Sequence, residues 1–303
     1  MTEHMSFIGV TTGSSSIMRV FPRWAEILGL PTSTLVGCDI PLDAPAERYR
    51  REVLAIREDP EHRGALVTTH KMALYEAASD LFDELDDFAR ACGEISSISA
   101  RGQRLLGHAK DPVTAGLALA EFLPERHLAG RRDAIVLGAG GAGLALTWLL
   151  AERRDSPRRI IVTDTDTRRL EHLAEVHARR GTPSELLTLV RAEGAATAAL
   201  LAEAPEGSLV VNASGLGKDR PGSPVPEESL FPLGAYVWEF NYRGSLEFLQ
   251  QARAQETERE LHVEDGWRYF LHGWSQVIAE VFALELTGDL MEELAAAAED
   301  VRS

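Results

Sequence analysis

The stretch Ala134-Ile-Val-Leu-Gly-Ala-Gly-Gly-Ala-Gly-Leu-Ala-Leu-Thr-Trp-Leu-Leu150 decides the reading of the chain. It spells a short apolar strand, a glycine turn and a helix. Gly138, Gly140 and Gly143 stand in G-x-G-x-x-G spacing. The first glycine permits a tight turn, the second lets the backbone approach a pyrophosphate, and the third lets helix and strand pack closely. The helix start, through Gly141 and Ala142, offers N–H groups and a positive dipole end to phosphates. Glycine-rich turns are common, so the strand before and the helix after give the spacing its meaning; a plain strand-to-helix turn is the competing reading.

Downstream the pattern repeats. Strands at 134–138, 159–164, 187–191, 208–212 and 235–239 alternate with helices at 142–153, 167–180 and 194–203. Such alternation implies a parallel sheet with right-handed crossovers. Asp164 ends the second strand, 21 residues past Gly143. An acidic residue there accepts hydrogen bonds from the ribose hydroxyls of NAD and repels the 2′-phosphate of NADP. Asp166 competes for the role of helix cap, and Arg168 and Arg169 could hold a 2′-phosphate. The expectation is NAD, with NADP left open.

Upstream, strands are expected at 7–11, 34–39, 64–69, 95–99 and 104–108, and helices at 46–58, 72–81, 85–92 and 113–122. The first helix carries Val20, Phe21, Trp24, Ile27 and Leu28 on one face, and Pro22 within it points to a late start. Ser14 to Ser16 read as its cap. Helices over 267–286 and 291–301 could return to cover this first domain. The organisation expected is α/β with two domains. Residues 1–112, completed by 265–303, form an α/β catalytic domain; residues 113–264 form a Rossmann-type dinucleotide-binding domain.

Lys71 and Asp111 stand out by position. Lys71 follows a strand end beside the cleft expected between the domains, and Asp111 sits at their join. A lysine next to a carboxylate can pass a proton to or from a hydroxyl while hydride moves to a nicotinamide. The carboxylate raises the lysine pKa and burial lowers it, and sequence does not decide between them. A surface lysine and a helix-capping aspartate are the plain alternative.

At 303 residues, 45% hydrophobic, the chain can build two cores. Its net charge of −16 argues against a nucleic-acid partner. No apolar run is long enough to span a membrane, and the N-terminus shows no signal-peptide pattern. Cys38 and Cys92 form no metal or redox motif and are expected as buried thiols of a cytoplasmic protein. No metal site is expected. The chain is read as a monomer or a homodimer.

The order of motifs resembles the shikimate dehydrogenase family over most of the chain. Gly9-Val10 with Ser14-Ser15-Ser16 resembles that family's substrate-binding Ser-x-Ser. Gly64 to Lys71 resembles its segment ending in the catalytic lysine. Gly93-Glu94-Ile95-Ser96-Ser97 is similar to its Gly-Ala-x-Asn-Thr, and Leu106 to Asp111 to the stretch ending in its catalytic aspartate. Asn212-Ala213-Ser214-Gly215-Leu216-Gly217 resembles Asn-Ala-Thr-Pro-Leu-Gly, which borders the nicotinamide. Glu239-Phe240-Asn241-Tyr242 resembles the segment with a substrate-contacting tyrosine, and Gly266 to Gln276 the C-terminal glycine–Met-Leu-x-x-Gln helix. The resemblance implies that Lys71 and Asp111 are catalytic and that Ser14, Ser16, Ser96, Tyr242 and Gln276 bind substrate. It also places Asn212, Ser214 and Gly215 with the cofactor.

The departures bear on the substrate. Ile17 replaces a proline, Ala65 an asparagine, and Val67 a substrate-binding threonine; Thr68 and Thr69 are out of register. Ser96 replaces an asparagine, Ala109-Lys110 replace Asn-Thr, and Gly273 stands where a glutamine is expected, with His272 or Gln276 as substitutes. A pocket built for one set of hydroxyls rejects mismatched ones strongly. The expected function is oxidation or reduction at a ring alcohol or ketone of a polyhydroxylated small molecule other than shikimate. A genuine shikimate or quinate dehydrogenase, a relative acting on a folate or amino acid, and a non-catalytic metabolite sensor are the alternatives. Lys110 is either a second cleft cation or a solvated residue; His108 is read as structural.

Overall fold

A computed structural model describes residues 3–218 and 220–302. The chain divides into two compact units, Met1–Asp111 with Leu271–Ser303, and Pro112–Phe270. The second break falls six residues later than the sequence suggested, because one continuous helix, Trp267–Phe282, runs through it and no loop marks the boundary.

The first unit is built from β1 (His4–Gly9), α1 (Ile17–Ile27), β2 (Leu35–Asp39), α2 (Ala46–Glu58), β3 (His62–Val67), α3 (Lys71–Ala78), β4 (Glu84–Leu85), α4 (Asp87–Cys92), β5 (Ser97–Arg101) and β6 (Arg104–His108). α5 (Asp111–Phe122) leads out of it. The strand order is β2-β1-β3-β5-β6-β4. β1 runs parallel to β2 and β3, whereas β5 is antiparallel to both β3 and β6. One sheet edge therefore collects the carboxyl ends of β1, β2, β3 and β6 together with the start of β5. Ile8, Ile40, Tyr49, Val53, Leu74 and Ile98 fill the core against α2 and α3.

Three local expectations change. α1 begins at Ile17 with Pro22 inside it, so proline does not delay the helix. Pro22 has no N–H to offer the carbonyl one turn back; the fully buried face of Ile17, Val20, Phe21 and Trp24 holds the helix despite that loss. The helix expected from 85 starts at Asp87, because Leu85 pairs in β4 beside β6 and Asp86 caps the turn through Ala89 N–H at 2.7 Å. Cys92 is buried, but Cys38 is half-exposed on the edge strand β2.

Beyond the Rossmann-type unit the chain returns. Between them, α10 (Trp267–Phe282) and α11 (Gly288–Ala298) carry the C-terminal segment of the first unit. Trp24 Nε1 donates to the Leu294 carbonyl at 2.8 Å, and the Ser16 hydroxyl donates to the Val301 carbonyl at 3.4 Å. Arg101 donates to the carbonyls of Glu280 and Val281 at the end of α10, both at 2.6 Å.

The second unit holds β7 (Asp133–Leu137), α6 (Gly141–Glu152), β8 (Arg159–Asp164), α7 (Thr167–Arg179), β9 (Leu187–Arg191), α8 (Ala195–Ala202), β10 (Leu209–Asn212), β11 (Tyr236–Glu239), α9 (Glu247–Ala254) and β12 (His262–Glu264). All its strand pairs are parallel, in the order β12-β11-β10-β7-β8-β9. Every residue of β7, β10 and β11 is buried, as a parallel sheet covered on both faces requires. The order reverses between β7 and β10, and such a switch point opens a crevice at the strands' carboxyl ends.

Candidate active site

In the first unit the edge described above gathers the chemistry. β3 ends in Val67, and Thr68 N–H donates to the Ile8 carbonyl at 3.0 Å. His70, 2% exposed, then pins the turn. Its Nε2 lies 2.8 Å from the Ile40 carbonyl and its Nδ1 3.0 Å from the Tyr49 hydroxyl. A carbonyl can only accept, so Nε2 carries the proton and Nδ1 accepts from Tyr49. Lys71 opens α3 directly after this anchor.

From the other side, the turn after β6 is held by two side chains. Ala109 N–H donates to the Asp86 carboxylate at 3.2 Å, and Lys110 N–H to the Ser96 hydroxyl at 2.7 Å. Asp111 follows as the first residue of α5, where the helix dipole favours a carboxylate. The Lys71 ammonium donates to Asp111 Oδ2. The side chains are 24% and 12% exposed, so the pair is shielded yet reachable. Burial pushes the Lys71 ammonium down, but the Asp111 and Glu94 carboxylates and the Asp111 hydrogen bond outweigh it, so its pKa stands above the ordinary lysine value. That settles a balance the sequence left open.

The remaining expected substrate residues fall out unequally. Ser96 is buried, and its hydroxyl also donates to the His108 carbonyl at 3.4 Å, so it braces the turn that presents Asp111. Val67 is packed in the core, which removes any hydroxyl at that position. Ser14 is exposed and donates to the Thr11 carbonyl at 3.3 Å; Ser16 is the position before α1 but makes no side-chain cap bond. Gln276 is half-buried on α10, and its amide makes no hydrogen bond among the described residues. It lies one turn before Glu280, which pairs with Lys110 Nζ and lies 3.4 Å from His108 Nε2. Lys110 and His108 thus tie the tail helix to the turn preceding Asp111, and Lys110 is a strut rather than a second open cation. Thr12 adds a further lock, donating its N–H and hydroxyl to Asp39 at 2.8 and 2.6 Å. His70, Glu94, Asp86 and Asp39 were not singled out from the sequence. Only His70, next to Lys71, carried a local signal.

In the second unit the glycine turn follows β7 at the switch point. Gly138 has φ 119°, and a Cβ there would lie 2.6 Å from the Ala213 backbone. A Cβ on Gly143 would lie 2.0 Å from the Gly138 carbonyl oxygen. Both positions exclude a side chain by backbone contact. At Gly140, by contrast, a Cβ would meet nothing within 4 Å, so the space over the helix start is open. The first helical bond of α6 runs from Leu144 N–H to the Gly140 carbonyl. The N–H groups of Gly141, Ala142 and Gly143 have no partner within the helix, and with the open space they suit a pyrophosphate.

Asp164 closes the other side. Its carboxylate takes Ala139 N–H at 2.8 Å and Asp166 N–H at 2.9 Å, one on each oxygen, leaving lone pairs for ribose hydroxyls. Arg168 is gripped by Asp166 through Nε and Nη2, and Arg169 lies 3.8 Å from Asp164. At the end of β10, Asn212 is a buried hub. Its Nδ2 donates to Glu239 at 2.7 Å, and its Oδ1 accepts from the Ser214 N–H and hydroxyl. Ala213 N–H donates to the Leu137 carbonyl at 2.8 Å, which sets this loop beside the glycine turn. Burial pushes the Glu239 carboxyl up to about 7. Tyr242 is half-buried in this unit, its ring 4.3 Å from Phe270 and 5.7 Å from Trp267. Among the described residues no cluster could hold a metal ion, and no helix is long and apolar enough to cross a membrane.

No protein-family profile matches the chain. Among characterised proteins, it is 30% identical over 243 residues to the shikimate dehydrogenase (NADP+) of Thermus thermophilus, covering 80% of this chain and 78% of that one. It is 30% identical over 177 residues to the shikimate dehydrogenase (NADP+) of Streptococcus gordonii, covering 57% and 58%. The chain thus spans under two thirds of the length of this second relative. Among solved structures, Thermus thermophilus shikimate 5-dehydrogenase in complex with NADP(H) and shikimate superposes with a TM-score of 0.72 at 25% identity, covering 98% of this chain and 99% of that one. Quinate dehydrogenase from Corynebacterium glutamicum in complex with NAD gives 0.75 at 21% identity over 98% and 99%, which speaks to the fold.

Proposed function

The chain belongs to the shikimate dehydrogenase family, and from that premise we propose that it is a nicotinamide-dependent oxidoreductase interconverting a carbinol and a ketone on a polyhydroxylated ring. The observation that carries the reading is the shielded Lys71–Asp111 pair, set by two braced turns at one sheet edge, in a chain that also holds an open glycine-turn cradle. The nicotinamide supplies or accepts the hydride. Lys71 moves the proton: its N–H bond breaks as the substrate O–H bond forms in reduction, and the reverse in oxidation. Asp111 holds the ammonium and orients the substrate hydroxyl. Ser14, Ser16, Gln276 and Tyr242 are assigned to the substrate, with Ser96 as a brace within its reach.

Because Lys71 keeps its proton at neutral pH, ketone reduction is the direction the site favours there, and alcohol oxidation gains as pH rises. Gly138, Gly140, Gly141, Ala142, Gly143, Asn212, Ser214 and Gly215 are assigned to the dinucleotide. NAD is favoured over NADP: the Asp164 carboxylate stands where a 2′-phosphate would approach, and Arg168 is already committed to Asp166. The substrate differs from shikimate, since Val67 lies in the core and the Ser96 hydroxyl is committed to backbone groups.

The test is nicotinamide absorbance with NAD and NADP against shikimate, quinate, aminoshikimate and a set of cyclitols, with Lys71→Met alongside. Turnover of one ring alcohol, lost in the variant, supports the reading and names the substrate class. Efficient turnover of shikimate overturns the substrate assignment. Dinucleotide binding with no turnover across a wide panel of ring alcohols and ketones overturns catalysis in favour of a metabolite-binding role.

A further inference from the structure

Glu94 has no place in the machinery above, yet it lies beside it. It follows Gly93, whose left-handed conformation (φ 65°) closes α4, and it precedes Ile95, whose N–H donates to the Lys71 carbonyl at 3.2 Å. The side chain is 2% exposed. Its Oε1 is buried without a hydrogen-bond partner. A buried acid with an unmet oxygen is costly and needs a compensating role or charge.

Three charged groups act on Glu94: Asp111 at the start of α5, Lys71 at the start of α3, and Asp86 at the cap of α4. Asp86 is spent on the N–H groups of Ala89 and Ala109. Lys71 is the one cation of the three, and it feels Glu94 in return. The Lys71 ammonium thus meets one acid, Asp111, by direct contact, while Glu94 acts on it by charge, held next to Lys71 by the backbone bond from Ile95 N–H to the Lys71 carbonyl.

We propose that Glu94 is a positioning residue for Lys71, a second buried carboxyl whose charge governs how firmly Lys71 holds the proton it transfers. This rests on the reading of Lys71 as the proton carrier. With Glu94 ionised, the Lys71 ammonium is a weaker acid and less of Lys71 is the free amine that oxidation needs; with Glu94 protonated, Lys71 releases its proton more readily. Glu94 touches no substrate in this account. It acts through Lys71, and so it sets the pH at which reduction loses its proton donor.

The sequence makes a direct test practical, because the chain has only three lysines, Lys71, Lys110 and Lys218. With ε-13C-lysine in the intact protein, Lys71 is assigned by Lys71→Arg and its chemical shift followed against pH. The parent should show a secondary inflection near pH 7, where burial has pushed the Glu94 carboxyl up. Glu94→Gln should abolish that inflection and lower the Lys71 midpoint by about one pH unit, roughly a tenfold loss of proton affinity. Glu94→Asp should keep both features. A Lys71 titration in the parent without the inflection, or an unchanged midpoint in a folded Glu94→Gln or Glu94→Ala, overturns the proposal. The readout needs no turnover, so it stands apart from the fate of the functional reading. If the enzyme turns over a ring ketone, the pH at which reduction fails should fall with Glu94→Gln by the same amount, with KM unchanged.

Discussion

Lys71 is protonated against the pull of burial because Asp111 and Glu94 outweigh it. The chemical role of each neighbour can therefore be separated by substitution. Lys71→Met removes the proton carrier and should cut turnover by about 10²–10⁴-fold, while dinucleotide binding, measured by fluorescence titration, persists. Asp111→Asn keeps the size of the side chain but removes its charge. The basic limb of the reduction profile should then move to lower pH, by about a unit or more. On the cofactor side, Asp164→Ala removes the charge that repels a 2′-phosphate and also the acceptor for Ala139 N–H. The ratio of kcat/KM for NAD over NADP should fall by about tenfold or more, a loss near 1.4 kcal/mol of discrimination; an unchanged ratio would remove the basis for assigning NAD.

At the level of the element, the glycine turn contains positions of opposite kind that one motif makes look alike. Gly143 has no room, since a Cβ would press on the Gly138 carbonyl at 2.0 Å. Gly143→Ala must push α6 off β7 and should cost about 3 kcal/mol of stability, visible in chemical denaturation. Gly140 adopts an ordinary φ of −75°, and nothing lies within 4 Å of its absent Cβ. Gly140→Ala should therefore fold as the parent does, yet weaken dinucleotide binding by about tenfold, because the methyl group occupies the space a pyrophosphate needs. A Gly140→Ala protein that binds NAD normally would show that the open space is not the phosphate site. The tail offers a second case. α11 holds Trp24 through the Leu294 carbonyl, and removal of residues 287–302 would expose the apolar face of α1.

Across the whole molecule, buried titrating groups oppose each other within each unit. His62 in the first and His177 in the second are pushed down to about 4 by burial. A histidine held neutral binds fewer protons folded than unfolded between pH 4 and 6.5, so its contribution to stability is complete above 6.5 and is lost as pH falls through that window. Glu94 and Glu239 are pushed up to about 7, also by burial. An acid held protonated contributes the other way: its stability is complete below about 4.5 and is lost as pH rises to 7. Each of these terms amounts to up to about 3 kcal/mol, and in each unit the acid opposes the histidine. The parent should therefore show a shallower pH dependence between pH 4.5 and 6.5 than the histidines alone would give. Glu94→Gln removes one side of the balance in the first unit, so urea unfolding should show stability rising with pH over that window by about 2 kcal/mol.

What the sequence determined by itself was periodic and local. The strand–turn–helix at Ala134 to Leu150 announced the parallel unit, since glycine spacing and apolar runs act through neighbours in the chain. Lys71 and Asp111 stood out by place, each beside a punctuating turn, but it was the resemblance of the motif order that gave them a catalytic reading over a plain surface lysine and a capping aspartate. The tertiary structure alone decided the charge state of Lys71, the commitment of Ser96 to backbone, the pairing of Lys110 with Glu280 and the burial of Glu94. It also decided that Pro22 sits inside a helix and that Cys38 stays half-exposed. These depend on segments brought together over long separations, 170 residues in the case of Lys110 and Glu280. Desolvation and Coulomb attraction act through space, so no spacing along the chain encodes which of them prevails at a given group.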